Sequence, residues 1–199
     1  NLDRLSYLPS IGMNKINLIF DKVDWRPNFI VCSNWLVAKQ NMPFYKQTNI
    51  HSLLSTKTML SGRLSKNLTY FYQKRNLLIS DDCEYYFGSG GTVTFIALQL
   101  ARYMGAKRIF IVGMDHNFHK KTELINKPIV EKFDGPDNNH FDKNYFKDLK
   151  WALPNLEFSE KSYSAFNSLA ISEGIEIYDA TINGKCDIFK KIDISKIYR

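Results

Sequence analysis

Polar residues that could do chemistry follow an unbroken apolar run in the middle of the chain. Residues 109–112 (IFIV) are typical of a strand buried on both faces, and Gly113 ends it. Asp115, His116 and His119 come directly after this strand. In parallel α/β sheets, ligands bind beyond the carboxyl ends of the strands. We therefore expect these three side chains to lie where a ligand binds.

A glycine-rich turn precedes that strand and opens a helix. It consists of Gly88, Ser89, Gly90, Gly91 and Thr92. Apolar residues recur at helical spacing over residues 93–104, and Gly105 is placed to end the helix in the left-handed conformation. Free backbone N–H groups at a helix N-terminus can hold a phosphate or carboxylate, so we predict an anion-binding turn. The alternative is an ordinary α/β turn, because the glycines lack dinucleotide-fingerprint spacing.

Two earlier segments repeat the pattern of an apolar strand that closes on polar residues. Asn14 ends the first, and Ser33 with Asn34 ends the second. Their amide and hydroxyl groups could contact a ribose, a base edge or phosphate oxygens without adding negative charge. Each could equally cap the structure that follows it.

Composition limits the classes of protein that fit. The chain has 199 residues, 44% of them hydrophobic, which suits one globular domain. No apolar run approaches the roughly 20 residues needed to span a bilayer. The three cysteines have neither disulfide nor zinc-site spacing, so we expect buried thiols. The net charge of +7 is scattered, which favours an anionic small molecule over nucleic acid. We expect an intracellular, cytoplasmic protein.

The remaining segments give a coarse order of elements. Residues 1–8 look like the end of a helix, and residues 43–82 are ambiguous. Residues 116–145 form a polar stretch that we interpret as a lid or a disordered excursion. Ser159 could cap a helix that runs to Glu173, and residues 175–178 form a further strand. Helix and buried strand in alternation predict an α/β fold with a mostly parallel sheet and helices on both faces, in a single domain.

Several strings together resemble a known family: residues 11–16 (IGMNKI), 90–94 (GGTVT), 97–101 (ALQLA), 109–116 (IFIVGMDH), 140–141 (HF) and 177–185 (IYDATINGK). They resemble the Rossmann-like domain shared by motility accessory factors and 6-hydroxymethylpterin diphosphokinase-like proteins. More distantly, the layout is similar to bacterial sialyltransferases of glycosyltransferase family 42. The opening nucleotide turn of the Rossmann-like domain family would fall before Asn1, so we expect that the domain's N-terminal strand and turn are missing here.

The resemblance implies a sialyltransferase-like enzyme that moves a sugar, such as a nonulosonic acid, from a CMP-type nucleotide donor to a glycan or protein hydroxyl. It implies no metal and no further cofactor. Position by position, Asn14 matches a phosphate contact, Ser33 and Asn34 lie near the nucleotide, and the turn Gly88 to Thr92 lies beside the sugar. Asp115 matches the strand-end acid, and His140 is the nearest candidate for the general base. Peripheral association with a membrane is compatible with a polysaccharide acceptor.

Two alternatives remain open. The other branch of the resemblance is a magnesium-dependent diphosphokinase, in which Asp115 would join Asp134, Asp137 or Asp142 as metal ligands. The second is a non-catalytic module that binds a nucleotide or a glycan.

Overall fold

The computed structural model of the protein describes residues 2–61, 65–117, 130–132, 135–137, 140–147 and 149–197. These residues form a mixed α/β fold in which most strand pairs are parallel, which confirms the predicted fold class. The described helices are α1 (Trp35–Gln40), α2 (Met42–Gln47), α3 (Val93–Tyr103) and α4 (Leu156–Ser172). The described strands are β1 (Ile11–Met13), β2 (Phe29–Cys32), β3 (His51–Ser55), β4 (Leu68–Phe71), β5 (Gln73–Lys74), β6 (Phe87–Gly88), β7 (Arg108–Ile111), β8 (Val130–Lys132), β9 (Lys150–Ala152), β10 (Glu176–Asp179) and β11 (Lys190–Lys191).

Parallel pairing brings the carboxyl ends of neighbouring strands to one edge. One sheet has the order β1-β2-β3-β4, and a second has the order β11-β10-β7. In the first sheet Met13 pairs with Val31, so that Asn14 follows β1 beside the end of β2. The Asn14 N–H donates to the Val31 carbonyl at 2.9 Å. The strand-end residues of β1 and β2 therefore lie at the same edge, as the sequence pattern predicted.

Alternating side chains of β2 pack on opposite faces of the first sheet. Ile30 belongs to a core with Val37 of α1 and Tyr45 of α2, whereas Val31 belongs to a core with Ile96 of α3. This alternation follows from the two-residue period of a strand. The helix α3 also reaches the core under β7 and β10, which it shares with α4. The helix α3, which follows the glycine turn, therefore packs in the cores of both sheets.

Two predicted elements need correction. The helix α4 begins at Leu156, and its cap is Asn155, whose side chain accepts from the Phe158 N–H, so Ser159 lies inside the helix. The strand β7 is not buried on both faces, because only Ile111 of its residues is fully buried. An apolar run fits a half-covered strand as well as a fully covered one.

The remaining outcomes are mixed. Residues 2–5 form a 3-10 helix, in line with the helical N-terminus. The ambiguous stretch contains α2 and the strands β3, β4 and β5. The sequence pattern did not predict the antiparallel pair β8 and β9.

Most of the polar stretch at residues 116–145, which we interpret as a lid or a disordered excursion, lies outside the described residues. All three cysteines are buried free thiols, as expected. Among the described residues, no helix has the length and apolar character needed to span a bilayer.

Candidate functional site

A buried histidine–carboxylate pair lies at the centre of the candidate site. The His140 Nδ1 atom lies 2.8 Å from Asp137 Oδ2. The Asp137 side chain is fully buried, whereas the His140 side chain is 22% exposed. A carboxylate at Nδ1 fixes the tautomer of a neutral imidazole, with the proton on Nδ1 and the lone pair on Nε2. The pair has the arrangement of a general base held by an orienting acid.

Aromatic rings hold the His140 imidazole in place. The ring stacks on Tyr145 with centroids 4.1 Å apart and an interplanar angle of 10°. The ring of Phe146 meets it edge-on at 5.2 Å. Tyr145 and Phe146 are both buried and belong to the core under α1 and α2. The imidazole is therefore positioned by the core of the first sheet, although His140 itself lies in an irregular segment.

Lys15 connects this segment to the end of β1. Its Nζ donates to the Tyr145 carbonyl at 2.6 Å and to Gln40 Oε1 at 2.8 Å. It also lies 5.2 Å from the centroid of the Tyr145 ring and 4.9 Å from that of the Phe146 ring. Burial lowers the pKa of the Lys15 ammonium to about 8, although Cys32 and Asp137 act in the opposite direction. Sequence reasoning missed Lys15, because nothing local marks a lysine as buried.

The charges around His140 shift its pKa in opposing directions. Burial lowers the pKa of His140 below its ordinary value, and the charge and hydrogen bond of Asp137 partly offset that effect. The positive charge of Lys15 lowers the pKa further, while the carboxylate of Asp115 raises it. The net effect is a lowered pKa, which keeps the imidazole neutral at pH 7, the state that a general base requires.

Asp115 lies close enough to His140 for their charges to interact. Partial burial raises the pKa of Asp115, His140 lowers it, and the neighbouring Asp179 raises it. Asp179 ends β10, is fully buried and is paired with Lys191 Nζ at 2.6 Å. The carboxyl ends of β7 and β10 therefore contribute one exposed and one buried acid to the same edge.

His116 forms a second histidine–carboxylate pair. Its Nε2 atom lies 2.9 Å from Glu160 Oε1, and its side chain is 6% exposed. The backbone of His116 has a φ of 51°, a left-handed conformation that a non-glycine residue adopts at some energetic cost. His116 also packs on Tyr163 of α4. It therefore joins the end of β7 to α4, while His119 lies outside the described residues.

The glycine turn does not have the free N–H groups predicted for an anion site. The N–H groups of Gly88, Ser89, Gly90 and Thr92 all donate to protein oxygens at 2.8–3.2 Å. A Cβ on Gly88 would lie 1.8 Å from the Leu78 carbonyl oxygen. The prediction of an anion cradle is wrong for these four donors. The acceptors lie in three places: Gln99 of α3, residues 74 and 76 at the end of β5 and just after it, and Ser89 of the turn itself.

The last residues of the turn face α4. Gly91 has a φ of 74°, and a Cβ there would lie 2.6 Å from the Phe158 ring. Thr92 caps α3 by accepting from the Thr94 N–H, and its hydroxyl also lies 3.1 Å from that of Tyr163. Close packing thus explains these residue types without a ligand.

The polar residues after β1 and β2 have different surroundings. Asn34 caps α1, because its Oδ1 accepts from the Leu36 N–H at 2.9 Å, which confirms the capping alternative for this residue. Ser33 offers its carbonyl to Gln73 Nε2 at 3.4 Å. Asn14 has a φ of 52°, and its side chain lies close enough to the Tyr145 hydroxyl to lower the pKa of that group, which places Asn14 next to the segment that holds His140.

The described residues contain no group of three or more histidine, cysteine, aspartate or glutamate side chains that could hold a metal ion. Of the acids considered for magnesium, Asp137 is bonded to His140, and Asp142 lies 3.4 Å from Lys22 Nζ. Asp134 lies outside the described residues. No family model, curated protein or solved structure matches this chain.

Proposed function

We propose that this protein is a sialyltransferase-like glycosyltransferase that works without a metal ion. It transfers a sugar, such as a nonulosonic acid, from a nucleotide donor to a hydroxyl group of a glycan or protein. The observation that supports the proposal is the buried pair of His140 and Asp137 at the edge where strand-end residues meet. The resemblance of the strings named in the sequence analysis supplies the class of reaction. A cytoplasmic location and a nucleotide of the CMP type belong to the same proposal.

His140 acts as the general base in this mechanism. The Nδ1 proton stays with Asp137, and Nε2 takes the proton of the acceptor hydroxyl as its oxygen bonds to the anomeric carbon of the donor. The bond between that carbon and the phosphate oxygen breaks, and the nucleoside phosphate leaves with the electron pair. Asp115 and Asp137 stabilise the imidazolium that forms, because both carboxylates raise the pKa of His140.

The leaving phosphate needs hydrogen-bond donors. Since the glycine turn uses four of its N–H groups internally, Ser33 is the strand-end residue whose hydroxyl can serve that role. The exposed edge and the net charge of +7 favour the approach of an anionic nucleotide sugar.

The test is a transfer assay with the His140→Ala variant. Wild-type protein is incubated with CMP-, UDP- and GDP-linked sugars and a mixture of glycan acceptors, and product is measured by mass spectrometry. We expect His140→Ala to lower the rate by about 100-fold or more while nucleotide binding is kept, because only the proton transfer is lost.

His51→Ala is the matched control, since His51 is also half-buried but starts β3 at the opposite edge. Wild-type rates in His140→Ala would refute the role of His140. A wild-type protein that transfers pyrophosphate from ATP with Mg²⁺, and no sugar, would instead support the diphosphokinase alternative.

A further inference from the structure

The acidic residues of the chain are unevenly distributed, although its lysines and arginines are scattered. Residues 25–80 contain eight lysines and arginines and not one aspartate or glutamate. This stretch therefore carries all of the net charge of +7, and the rest of the chain is close to neutral. In the fold, residues 25–80 supply the strands β2, β3 and β4 with their connections. The part of the molecule built on these strands is therefore basic.

The segments that follow β2, β3 and β4 lie side by side. The three strands are parallel neighbours in register, so their carboxyl ends meet at one edge with a spacing of about 5 Å. A 3-10 helix, Thr56–Ser61, follows β3 and packs against α1 and β4. The side chain of Gln73 bonds to the Ser33 carbonyl at 3.4 Å, which brings the segment after β4 to the start of α1. These contacts join the three segments into one surface at the edge that carries the candidate site.

Large apolar side chains are exposed on this surface. Each follows the end of a strand by a few residues: Trp35 after β2, Met59 after β3, and Tyr72, Leu77 and Leu78 after β4. Tyr72 is 56% exposed and Leu78 is 59% exposed. Single exposed apolar residues are normal, whereas a group of them at one edge indicates an interaction surface.

Basic side chains lie among these apolar ones. Lys57 belongs to the 3-10 helix, and Lys74 with Arg75 lies between Tyr72 and Leu77 in the chain. All three basic residues are exposed. The surface therefore combines positive charge with apolar area.

The acids that follow this stretch lie toward the far end of α3. Asp81 pairs with Arg102 at 3.1 Å, and Glu84 accepts from the Tyr103 hydroxyl at 3.0 Å, both in the last turn of the helix. The start of α3 is about 16 Å away, because the helix has 11 residues. At that start, the carbonyl of Asn76 accepts from an N–H of the glycine turn at 3.2 Å. The basic segment is thus held at the opposite end of α3 from these acids.

The mixture of side chains restricts the chemistry of the partner. Basic residues attract any polyanion, and nucleic acid is bound through its phosphates and by stacking on aromatic rings. Met59, Leu77 and Leu78 offer neither a charge nor a ring. Aliphatic side chains of this kind enter the acyl boundary beneath a layer of headgroups, and tyrosine and tryptophan are enriched at that depth. The combination favours an anionic lipid surface over nucleic acid.

We propose that the surface formed by residues 35, 57–59 and 72–78 docks on an anionic lipid bilayer. Docking in this way places the edge that carries Ser33 next to the lipid headgroups. The inference does not depend on the proposed function, because binding to lipid needs neither a sugar donor nor an acceptor.

The test is co-sedimentation of the full chain with vesicles of phosphatidylcholine, either alone or with phosphatidylglycerol as about one lipid in three. We expect binding to the anionic vesicles only, and weaker binding as salt is added, because salt screens the attraction. Lys57→Gln combined with Arg75→Gln should weaken binding about 25-fold, since each basic residue near an anionic surface contributes about fivefold. Lys74 is left in place because its ammonium lies 3.8 Å from the centroid of the Tyr86 ring.

Lys46→Gln combined with Lys66→Gln is the matched control for charge. Both lysines are exposed and belong to the same acid-free stretch, but they precede β3 and β4 and so lie toward the opposite edge of the sheet. We expect this control to bind nearly as well as wild type. Equal losses in the two double variants would overturn the inference, because binding would then follow net charge alone.

Leu77→Ser combined with Leu78→Ser tests the apolar contribution. We expect the affinity for anionic vesicles to fall about tenfold or more, because the leucines no longer enter the acyl boundary. Met104→Ser combined with Ile171→Ser is the control, since both residues are exposed but lie at the ends of α3 and α4, away from this edge. Thermal unfolding should give each variant the Tm of wild type, because every altered side chain is exposed.

Trp35 reports the contact without a change in the surface. Its side chain is 47% exposed, whereas Trp25 is buried, so its emission should shift to shorter wavelength when the protein binds anionic vesicles. The variant Trp35→Phe should lack this shift. Bound protein with unchanged Trp35 emission would mean that another surface contacts the lipid.

Three further results would overturn the inference. They are the absence of binding to anionic vesicles, binding to a single-stranded oligonucleotide in place of vesicles, and a dimer in solution that the leucine variant dissociates. The last result would assign the surface to a second copy of the chain. None of these measurements involves sugar transfer, which the His140→Ala assay tests separately.

Discussion

Burial and neighbouring charges both determine the pKa of the His140 side chain. Burial lowers the pKa of the imidazole, and the Asp137 carboxylate opposes it from hydrogen-bond distance. If His140 is the base, transfer requires the neutral imidazole, so the rate falls as the pH drops through this lowered pKa. The position of the acid limb then depends in part on the buried Asp137 carboxylate.

Replacement of that carboxylate tests the dependence. Asp137→Asn removes the negative charge that raises the pKa of His140, so we expect the acid limb of kcat/KM to move to lower pH. The plateau should fall about 100-fold, because an amide no longer stabilises the imidazolium. The measurement is a pH–rate profile of sugar transfer, with Asp24→Asn on the exposed surface as the control. An acid limb at the wild-type position would contradict the assignment.

At the scale of elements, the end of β1 and the segment that contains His140 are tied together by a buried cation. Lys15 bonds to the carbonyl of Tyr145, and the Tyr145 hydroxyl accepts from the Lys15 N–H at 3.3 Å. These two bonds span 130 positions of sequence. The irregular segment therefore keeps its geometry through contacts with the first sheet.

The lowered pKa of Lys15 predicts a pH-dependent stability. Its pKa is about 8 in the folded protein against 10.5 when unperturbed, so between these values the unfolded chain binds more protons and the free energy of unfolding rises with pH. We expect Lys15→Met to lack this rise, which amounts to a difference on the order of 3 kcal/mol across the window.

Urea unfolding of wild type and of this variant, at both ends of the window, measures the effect. Subtracting the two curves cancels the contribution of Tyr45, whose raised pKa also affects stability at high pH. Cys32 and Tyr145 interact with Lys15, so the difference also contains their coupling to the ammonium. Gln40→Met is the control, because it removes one of the oxygens that Lys15 bonds while the ammonium stays. Parallel curves for wild type and Lys15→Met would show that the ammonium is not buried.

The role of the glycine turn in the structure differs from the anion-binding role that its sequence predicts. Four of its N–H groups donate to protein oxygens, and a Cβ at Gly88, Gly90 or Gly91 would collide with neighbouring atoms. Packing therefore explains why these positions are glycine. We expect Gly88→Ala to lower the free energy of unfolding by about 3 kcal/mol, because the added Cβ collides with a backbone carbonyl.

Gly105→Ala is the matched comparison. Gly105 has a φ of 83° but nothing within 4 Å of an added Cβ, so only the backbone strain of about 1 kcal/mol applies. Urea unfolding of both variants decides the point. Equal losses would mean that the turn tolerates a side chain and that packing does not explain its glycines.

At the scale of the whole molecule, ligand binding discriminates the proposed classes. A ligand that binds only the folded state raises the Tm. We expect CMP to do so without a metal ion, if the nucleotide of the proposed donor is of that type. The measurement is a thermal-shift series with CMP, CDP, UDP, GDP and ATP, each with and without Mg²⁺. A shift with ATP and Mg²⁺ alone would favour the diphosphokinase, whereas binding without turnover would favour a non-catalytic module.

Local pattern was sufficient for two of the four strands of the first sheet and for the helix α3. The strands β1 and β2 and the helix α3 follow from apolar periodicity and from caps, because these signals depend on neighbours a few positions away. The roles of His140 and Asp115 come from the family resemblance and stay predictions, although the two residues lie close enough for their charges to interact. Local pattern failed at the cap of α4, where Asn155 and Ser159 are equally good capping residues by type.

By itself, the sequence determined the α/β class, the position of the glycine turn and the polar residues that follow β1, β2 and β7. Each of these depends on backbone preferences and side-chain periods that act over a few residues. Only the tertiary structure decided that Lys15 is buried under Tyr145, that Asp137 holds His140 and that the N–H groups of the turn are already used. Burial and hydrogen bonding of a polar group depend on which distant segments pack against it, and no local pattern contains that information.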